Sequence, residues 1–207
     1  MNETLSTIQN AAQAMSGWEV LAVVLAITYL LLAVRENIWC WAFAFVSTAI
    51  YTVLFWDVSL LMDSALNVYY MAMAVYGWTQ WRGKNNAGNA ELDITSMSMG
   101  QHWVALIAIA LLTAVSGYLL KENTSAAWPY VDSFTTWSSV IATWMVARKL
   151  LENWLYWIAI DLVSIPLYIE RGLSLTALLF LAYVIIAVFG YFKWKQHHAS
   201  ASQAGTN

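Results

Sequence analysis

Charged side chains are scarce in this sequence: only 10% of its 207 residues are Asp, Glu, Lys or Arg, where soluble domains carry about 25%. So little charge cannot solvate the exterior of a soluble fold of this size. The 61% of hydrophobic residues points to lipid as the solvent instead. One cysteine, Cys40, excludes an internal disulfide framework, and three histidines leave little material for a metal site. Net charge is −3, so no basic surface is on offer for nucleic acid. Residues 1–17 are polar and lack Lys and Arg, which removes the basic segment a secretory signal needs. There is no H-E-x-x-H motif, and His102, His197 and His198 fall outside the apolar runs, which argues against an intramembrane metalloenzyme. No metal and no cofactor are expected.

Long apolar runs are abundant. Seven can be marked: Trp18–Val34, Ile38–Trp56, Ser59–Trp81, Trp103–Leu120, Tyr130–Ala147, Trp154–Ile169 and Leu173–Trp194. Each holds roughly 16–23 residues, close to the ~20 needed to cross a bilayer as a helix. The fold class is therefore an all-α integral membrane protein with seven transmembrane helices. Many of the 13 Trp and 11 Tyr sit near the ends of these runs, at headgroup level, where amphipathic rings prefer to lie. The Gly/Asn-rich stretch Arg82–His102 reads as a surface loop, and residues 195–207 read as a disordered tail.

Orientation follows from the basic residues. Arg35, Arg82, Lys84, Arg148, Lys149, Lys193 and Lys195 fall on one side of the seven-run arrangement, and only Lys121 and Arg171 on the other. Under the positive-inside rule the C-terminus is cytoplasmic and the N-terminus outside.

An internal repeat relates the first three runs to the last three. Arg35-Glu36-Asn37 leads into Trp39 and Trp41, as Arg148-Lys149 with Glu152-Asn153 leads into Trp154 and Trp157. Tyr76-Gly77-Trp78 before Trp81-Arg82 matches Phe189-Gly190-Tyr191 before Trp194-Lys195. The offset reads as about 116 residues at the first match and about 113 at the second, so one connection is shorter in the second copy. Residues 18–81 and 130–194 are then two parallel three-helix repeats, joined by residues 82–129 with the linker helix 103–120. Their symmetry axis lies along the membrane normal, as in parallel-repeat transporters.

Polar groups inside the runs are the first candidates for function, because each is costly in lipid unless it faces a cavity or a partner. Asp161 lies near the middle of the sixth run, and its repeat counterpart is near Ser47. A polar pair at the midplane is what a substrate site between two halves requires; an interhelical hydrogen bond or a protonated carboxyl is the alternative, and for Asp161 the functional reading is the stronger. Asn67 and Tyr70 share one helix face, and Tyr183 is the repeat equivalent of Tyr70. Thr135, Thr136, Ser138 and Ser139 make the fifth run rich in hydroxyls, which also bond back to their own helix. Trp137 and Trp144 lie on one face of that run. Trp39, Trp41, Trp78, Trp81, Trp157 and Trp194 read mostly as interface anchors, with some available to cover a flat or cationic ring. Asp132 reads as a cap of the fifth helix, and Arg148, Lys149 and Glu152 as a surface charge cluster.

At Tyr76-Gly77-Trp78-x-x-Trp81, Asp132-Ser133 and Ala147-Arg148-Lys149-x-x-Glu152-Asn153-Trp154, the chain resembles the PnuC family of nicotinamide riboside transporters. The likeness covers about residues 18–194. It implies a bacterial inner-membrane uptake protein for a vitamin B3 precursor of NAD, related in fold to the SWEET sugar transporters. It also implies a homotrimer and facilitated diffusion without ion coupling. The family's Trp-x-x-Trp motif falls on Trp78 and Trp81; the second half has Tyr191 and Trp194 there, so the motif is only half kept. The candidate substrate-binding residues are Ser47, Asn67, Tyr70, Trp78, Trp81, Trp137, Asp161 and Tyr183, with nicotinamide riboside as ligand and membrane lipid around the bundle. A sugar or other small-nucleoside transporter of the SWEET type is the alternative. A retinal protein needs a buried lysine in the last helix, and Lys193 and Lys195 sit at its end instead.

Overall fold

The computed structural model describes residues 17–57, 61–82, 92–124, 127–170 and 174–204. These residues form seven helices: α1 (Gly17–Val34), α2 (Cys40–Asp57), α3 (Leu61–Arg82), α4 (Met99–Asn123), α5 (Pro129–Ala147), α6 (Asn153–Glu170) and α7 (Ser174–Ala204). Each apolar run contains one helix. The polar segment 1–16, Lys84 and Arg171 lie outside the described residues.

Four helices, α1, α2, α4 and the stretch Thr176–Ala201 of α7, are long and apolar enough to cross a membrane. The other three are less apolar because they carry the interior polar groups: Ser64 and Asn67 on α3, Ser138, Ser139 and Thr143 on α5, Asp161 and Ser164 on α6, all buried. Outward faces are apolar instead. On α4, Trp103, Ile107, Leu111 and Val115 are exposed while Ala105, Ile109 and Gly117 are buried. A contiguous apolar exterior of this kind needs lipid or another chain to cover it. The chain is a membrane protein.

Six helices close into a ring. α1 packs on α2 and α2 on α3; α5 packs on α6 and α6 on α7; α3 meets α5 and α1 meets α7. α4 lies outside the ring against α5. Gly117 allows that approach, since a Cβ there would fall 2.4 Å from the Tyr130 ring. Trp137 Nε1 donates to Ser116 Oγ at 3.0 Å and pins the two helices together.

The turns after α1 and α5 have the same geometry. Glu36 (φ 55°) and Lys149 (φ 50°) both sit in the left-handed region. Asn37 N donates to Leu32 O and Glu36 N to Ala33 O, while Leu150 N donates to Met145 O and Lys149 N to Val146 O. This is a Schellman closure at each helix end, built without the usual glycine. The two turns lie 113 residues apart, as do Gly77 and Gly190. The offset of 116 inferred from pairing Glu36 with Glu152 is therefore corrected: the residue structurally opposite Glu36 is Lys149.

Four further expectations change. Residues 195–204 are not a disordered tail but continue α7. They are rich in good helix formers, and His198 Nδ1 lies 2.8 Å from Ile94 O, tying them down. The end of the Arg82–His102 loop is packed, not free. Thr95 pairs with the α5–α6 turn (Thr95 N to Lys149 O, 3.1 Å; Leu151 N to Thr95 O, 2.9 Å), and Glu152 accepts from Met97 N at 3.0 Å and from the Ser96 hydroxyl. α4 begins at Met99 rather than Trp103, because Ser98 and Gln101 form a capping box there. Asp132 is not a cap; the N-cap position is Trp128, and Asp132 lies in the first turn of α5, where its charge faces the positive end of the helix.

Candidate functional site

A cavity of about 220 Å³ lies within the ring of six helices. It is smaller than the roughly 300–1,000 Å³ usual for drug-sized ligands and suits a compact solute. α1 contributes Ala26, Tyr29 and Leu30; α2 contributes Trp41, Ala44, Ser47, Thr48 and Tyr51. Tyr70 enters from α3 and Thr143 from α5; α6 supplies Trp154, Trp157 and Asp161, and α7 supplies Phe180, Tyr183 and Ala187. Both sets of three helices therefore share the wall.

Half of the lining residues are aromatic, which favours a flat ring as occupant. Phe180 packs on Tyr183 in the wall (centroids 5.7 Å apart) and on Tyr168 outside it (4.9 Å). The serine and threonine hydroxyl protons are already engaged: Ser47 Oγ donates to Ala22 O at 2.8 Å, Thr48 Oγ1 to Ala44 O at 2.8 Å and Thr143 Oγ1 to Ser139 O at 2.7 Å. Their oxygens keep lone pairs for a ligand donor. Among the described residues Asp161, 4% exposed, is the single acidic lining residue, and no Lys, Arg or His lines the cavity. The wall is therefore aromatic, with tyrosine hydroxyls and indole N–H groups beside the accepting oxygens and with one carboxyl.

Of the eight candidates from the sequence, Ser47, Tyr70, Asp161 and Tyr183 come together in this wall. The other four do not. Asn67 is buried on α3 outside the lining, with a polar partner of its own. Trp78 packs edge-on against Trp39, with centroids 5.4 Å apart. Trp81 is 4% exposed in the core and donates to Val146 O. Trp137 holds α4. Trp41, Trp154 and Trp157 line the cavity but are not among the sequence candidates; Trp41 and Trp157 belong to a set read mostly as interface anchors, with some available to cover a ring. A signal was present: Trp41 and Trp154 are separated by the same 113 residues as the two turns, and Gly77 and Gly190 pack against their rings. The hydroxyls of Thr135 and Thr136 bond back to their own helix.

Residues 16–196 match the family described as nicotinamide mononucleotide transporter. The riboflavin/roseoflavin transporter RibM of Streptomyces davaonensis is 26% identical over 173 residues, covering 83% of this chain and 81% of that protein. The nicotinamide riboside transporter PnuC of Escherichia coli is 25% identical over 187 residues, covering 79% and 78%. Among solved structures, the crystal structure of the vitamin B3 transporter PnuC superposes with a TM-score of 0.74 at 20% identity, covering 95% of this chain and 88% of that one. At that identity the likeness speaks for the fold.

Proposed function

The chain belongs to the nicotinamide mononucleotide transporter family, and from that premise we propose that it carries nicotinamide riboside across the bacterial inner membrane by facilitated diffusion. The observation that carries the choice of ligand is the pairing of one buried carboxyl, Asp161, with an aromatic wall that holds no basic residue. Nicotinamide riboside is a flat pyridinium cation with a carboxamide and a hydroxylated ribose. The cation pairs with Asp161, the rings of Trp41, Trp154 or Phe180 cover its face, and the ribose hydroxyls donate to Ser47 and Thr48. A nucleotide phosphate meets no compensating cation in this wall. Leaving such a charge unpaired costs several kcal/mol at least, so the riboside is the substrate and the mononucleotide is excluded.

Transport uses the arrangement in two halves. The first and last three helices are taken as parallel repeats around the cavity, with α4 as linker, the N-terminus outside and the C-terminus in the cytoplasm. Assembly as a homotrimer belongs to the same reading, and the apolar outer face of α4 is available to it. Riboflavin, after the RibM relative, is the second reading. The aromatic wall suits its ring system as well, but the molecule is neutral, so it offers Asp161 no opposite charge, and it is larger, which strains a cavity of about 220 Å³. The test is exchange in proteoliposomes: saturable uptake of labelled nicotinamide riboside, independent of proton and sodium gradients, displaced by neither mononucleotide nor riboflavin. Displacement by riboflavin at the same concentration as by the riboside favours the second reading.

A further inference from the structure

Between the cavity and the basic end of the bundle lie four buried indoles in a chain. Trp41 meets Trp81 edge-on, with centroids 5.4 Å apart and planes at 84°. Trp81 meets Trp194 at 6.1 Å, and Trp194 meets Trp154 edge-on at 5.4 Å and 89°. None of the four is more than 4% exposed. The two inner rings, Trp41 and Trp154, also line the cavity.

The two outer rings bridge the halves. Trp81 Nε1, on α3, donates to Val146 O at the end of α5 (3.2 Å). Trp194 Nε1, on α7, donates to Ala33 O at the end of α1 (3.1 Å). Each half therefore hooks the last turn of the other, and both acceptors belong to the Schellman turns described above. A third tie crosses outside them: Lys149 Nζ, 3% exposed, lies 2.9 Å from Glu36 Oε2 and 4.9 Å from the centre of the Trp81 ring. On the far side of Glu36, His197 Nδ1 lies 2.5 Å from Oε1.

The inner rings differ from the outer ones. Trp41 Nε1 and Trp154 Nε1 are buried donors that find no acceptor among the described residues, which disfavours this arrangement. The outer rings and the ion pair therefore hold shut an assembly whose inner rings gain from turning. Ties at the outer rings set against unmade bonds at the inner ones are the kind of opposition that a two-state switching part requires.

We propose that these four tryptophans, tied by the Glu36–Lys149 pair, are the gate on the basic side of the cavity, and that both cross-half indole hydrogen bonds break when it opens. The proposal rests on the transport reading, and the basic side is the cytoplasmic one on that reading.

Cys40 supplies the reporter. It is the single cysteine of the chain, is fully buried, and belongs to the same core cluster as the four rings. The experiment is the rate of Cys40 modification by N-ethylmaleimide in proteoliposomes of the full chain without ligand. Trp81→Phe and Trp194→Phe keep an aromatic ring and remove the N–H. Each is expected to react about threefold to tenfold faster than wild type, as loss of one hydrogen bond implies, and the double variant faster still. Trp39→Phe, at an exposed ring outside the chain of four, is expected to react at the wild-type rate. Should the tryptophan variants fail to fold, Glu36→Gln, which keeps all four rings and weakens the outer tie, is read in the same assay with acceleration expected. Wild-type rates in the folded variants, or equal acceleration by Trp39→Phe, overturn the gate. No ligand is present, so a negative result here leaves the substrate assignment standing, and a wrong substrate leaves the gate standing.

Discussion

Gly77→Ala is a substitution whose sign is decided by two opposed magnitudes. In a helix, alanine is favoured over glycine by about 1 kcal/mol. At position 77, however, the added Cβ would lie 2.3 Å from Trp41 Cε2 and Cζ2 and 2.6 Å from Cδ2. Ordinary carbon contacts are no shorter than about 3.5 Å, so the indole has to retreat by roughly 1.2 Å. It has no free direction, being 2% exposed and set edge-on against Trp81, so it moves into the cavity. Overpacking of this kind costs about 1–3 kcal/mol, which outweighs the propensity gain. Gly190→Ala is the internal comparison: its Cβ would meet Trp154 atoms at 2.8 Å, a retreat of roughly 0.7 Å, and the balance there is close to zero. Thermal unfolding in detergent and ligand binding should show Gly77→Ala less stable and weaker in binding than Gly190→Ala. A Gly77→Ala protein more stable than wild type and unchanged in binding would refute the packing argument.

Three further outcomes are expected. Glu36→Met leaves Lys149 buried without its partner and lowers stability by about 3–5 kcal/mol, whereas Glu36→Met with Lys149→Met restores most of it; chemical denaturation of the two variants checks this. Trp137→Phe removes the bond to Ser116 and destabilises by about 0.5–1.5 kcal/mol with no change in ligand affinity, because Trp137 holds α4 and does not line the cavity. A topology reporter fused after Asn207 reads cytoplasmic and one fused ahead of Trp18 reads outside; finding both ends on one side overturns the orientation.

Hydrophobic run length made the helices legible, because lipid leaves a backbone few other solutions. It also made Asp161 conspicuous as a carboxyl in the middle of an apolar run; Ser47 reads as its repeat counterpart, and Tyr183 as that of Tyr70. What stayed hidden depends on tertiary direction. Lys149 looks like a surface cation in the sequence, yet a left-handed turn swings it inward onto Glu36 and the Trp81 ring. Tryptophans near helix ends look alike: Trp39 is exposed, Trp41 lines the cavity and Trp194 is fully buried. Only the facing glycines distinguish the buried pair Trp41 and Trp154, and that requires knowing which helices are neighbours. Residues 195–204 read as disordered because they are polar, and their helix depends on contacts to Ile94 and Glu36 that no local pattern announces.

On the proposed function Asp161, in a wall with no basic residue among those described, selects a cationic nucleoside. The most direct measurement is calorimetric binding of nicotinamide riboside, nicotinamide mononucleotide and nicotinamide to the wild-type chain and to Asp161→Ala. The expected result is that the riboside binds, that the mononucleotide does not compete and nicotinamide competes poorly, and that Asp161→Ala weakens riboside binding about tenfold or more while remaining folded. Equal binding of riboside and mononucleotide, or unchanged riboside affinity in Asp161→Ala, would contradict it.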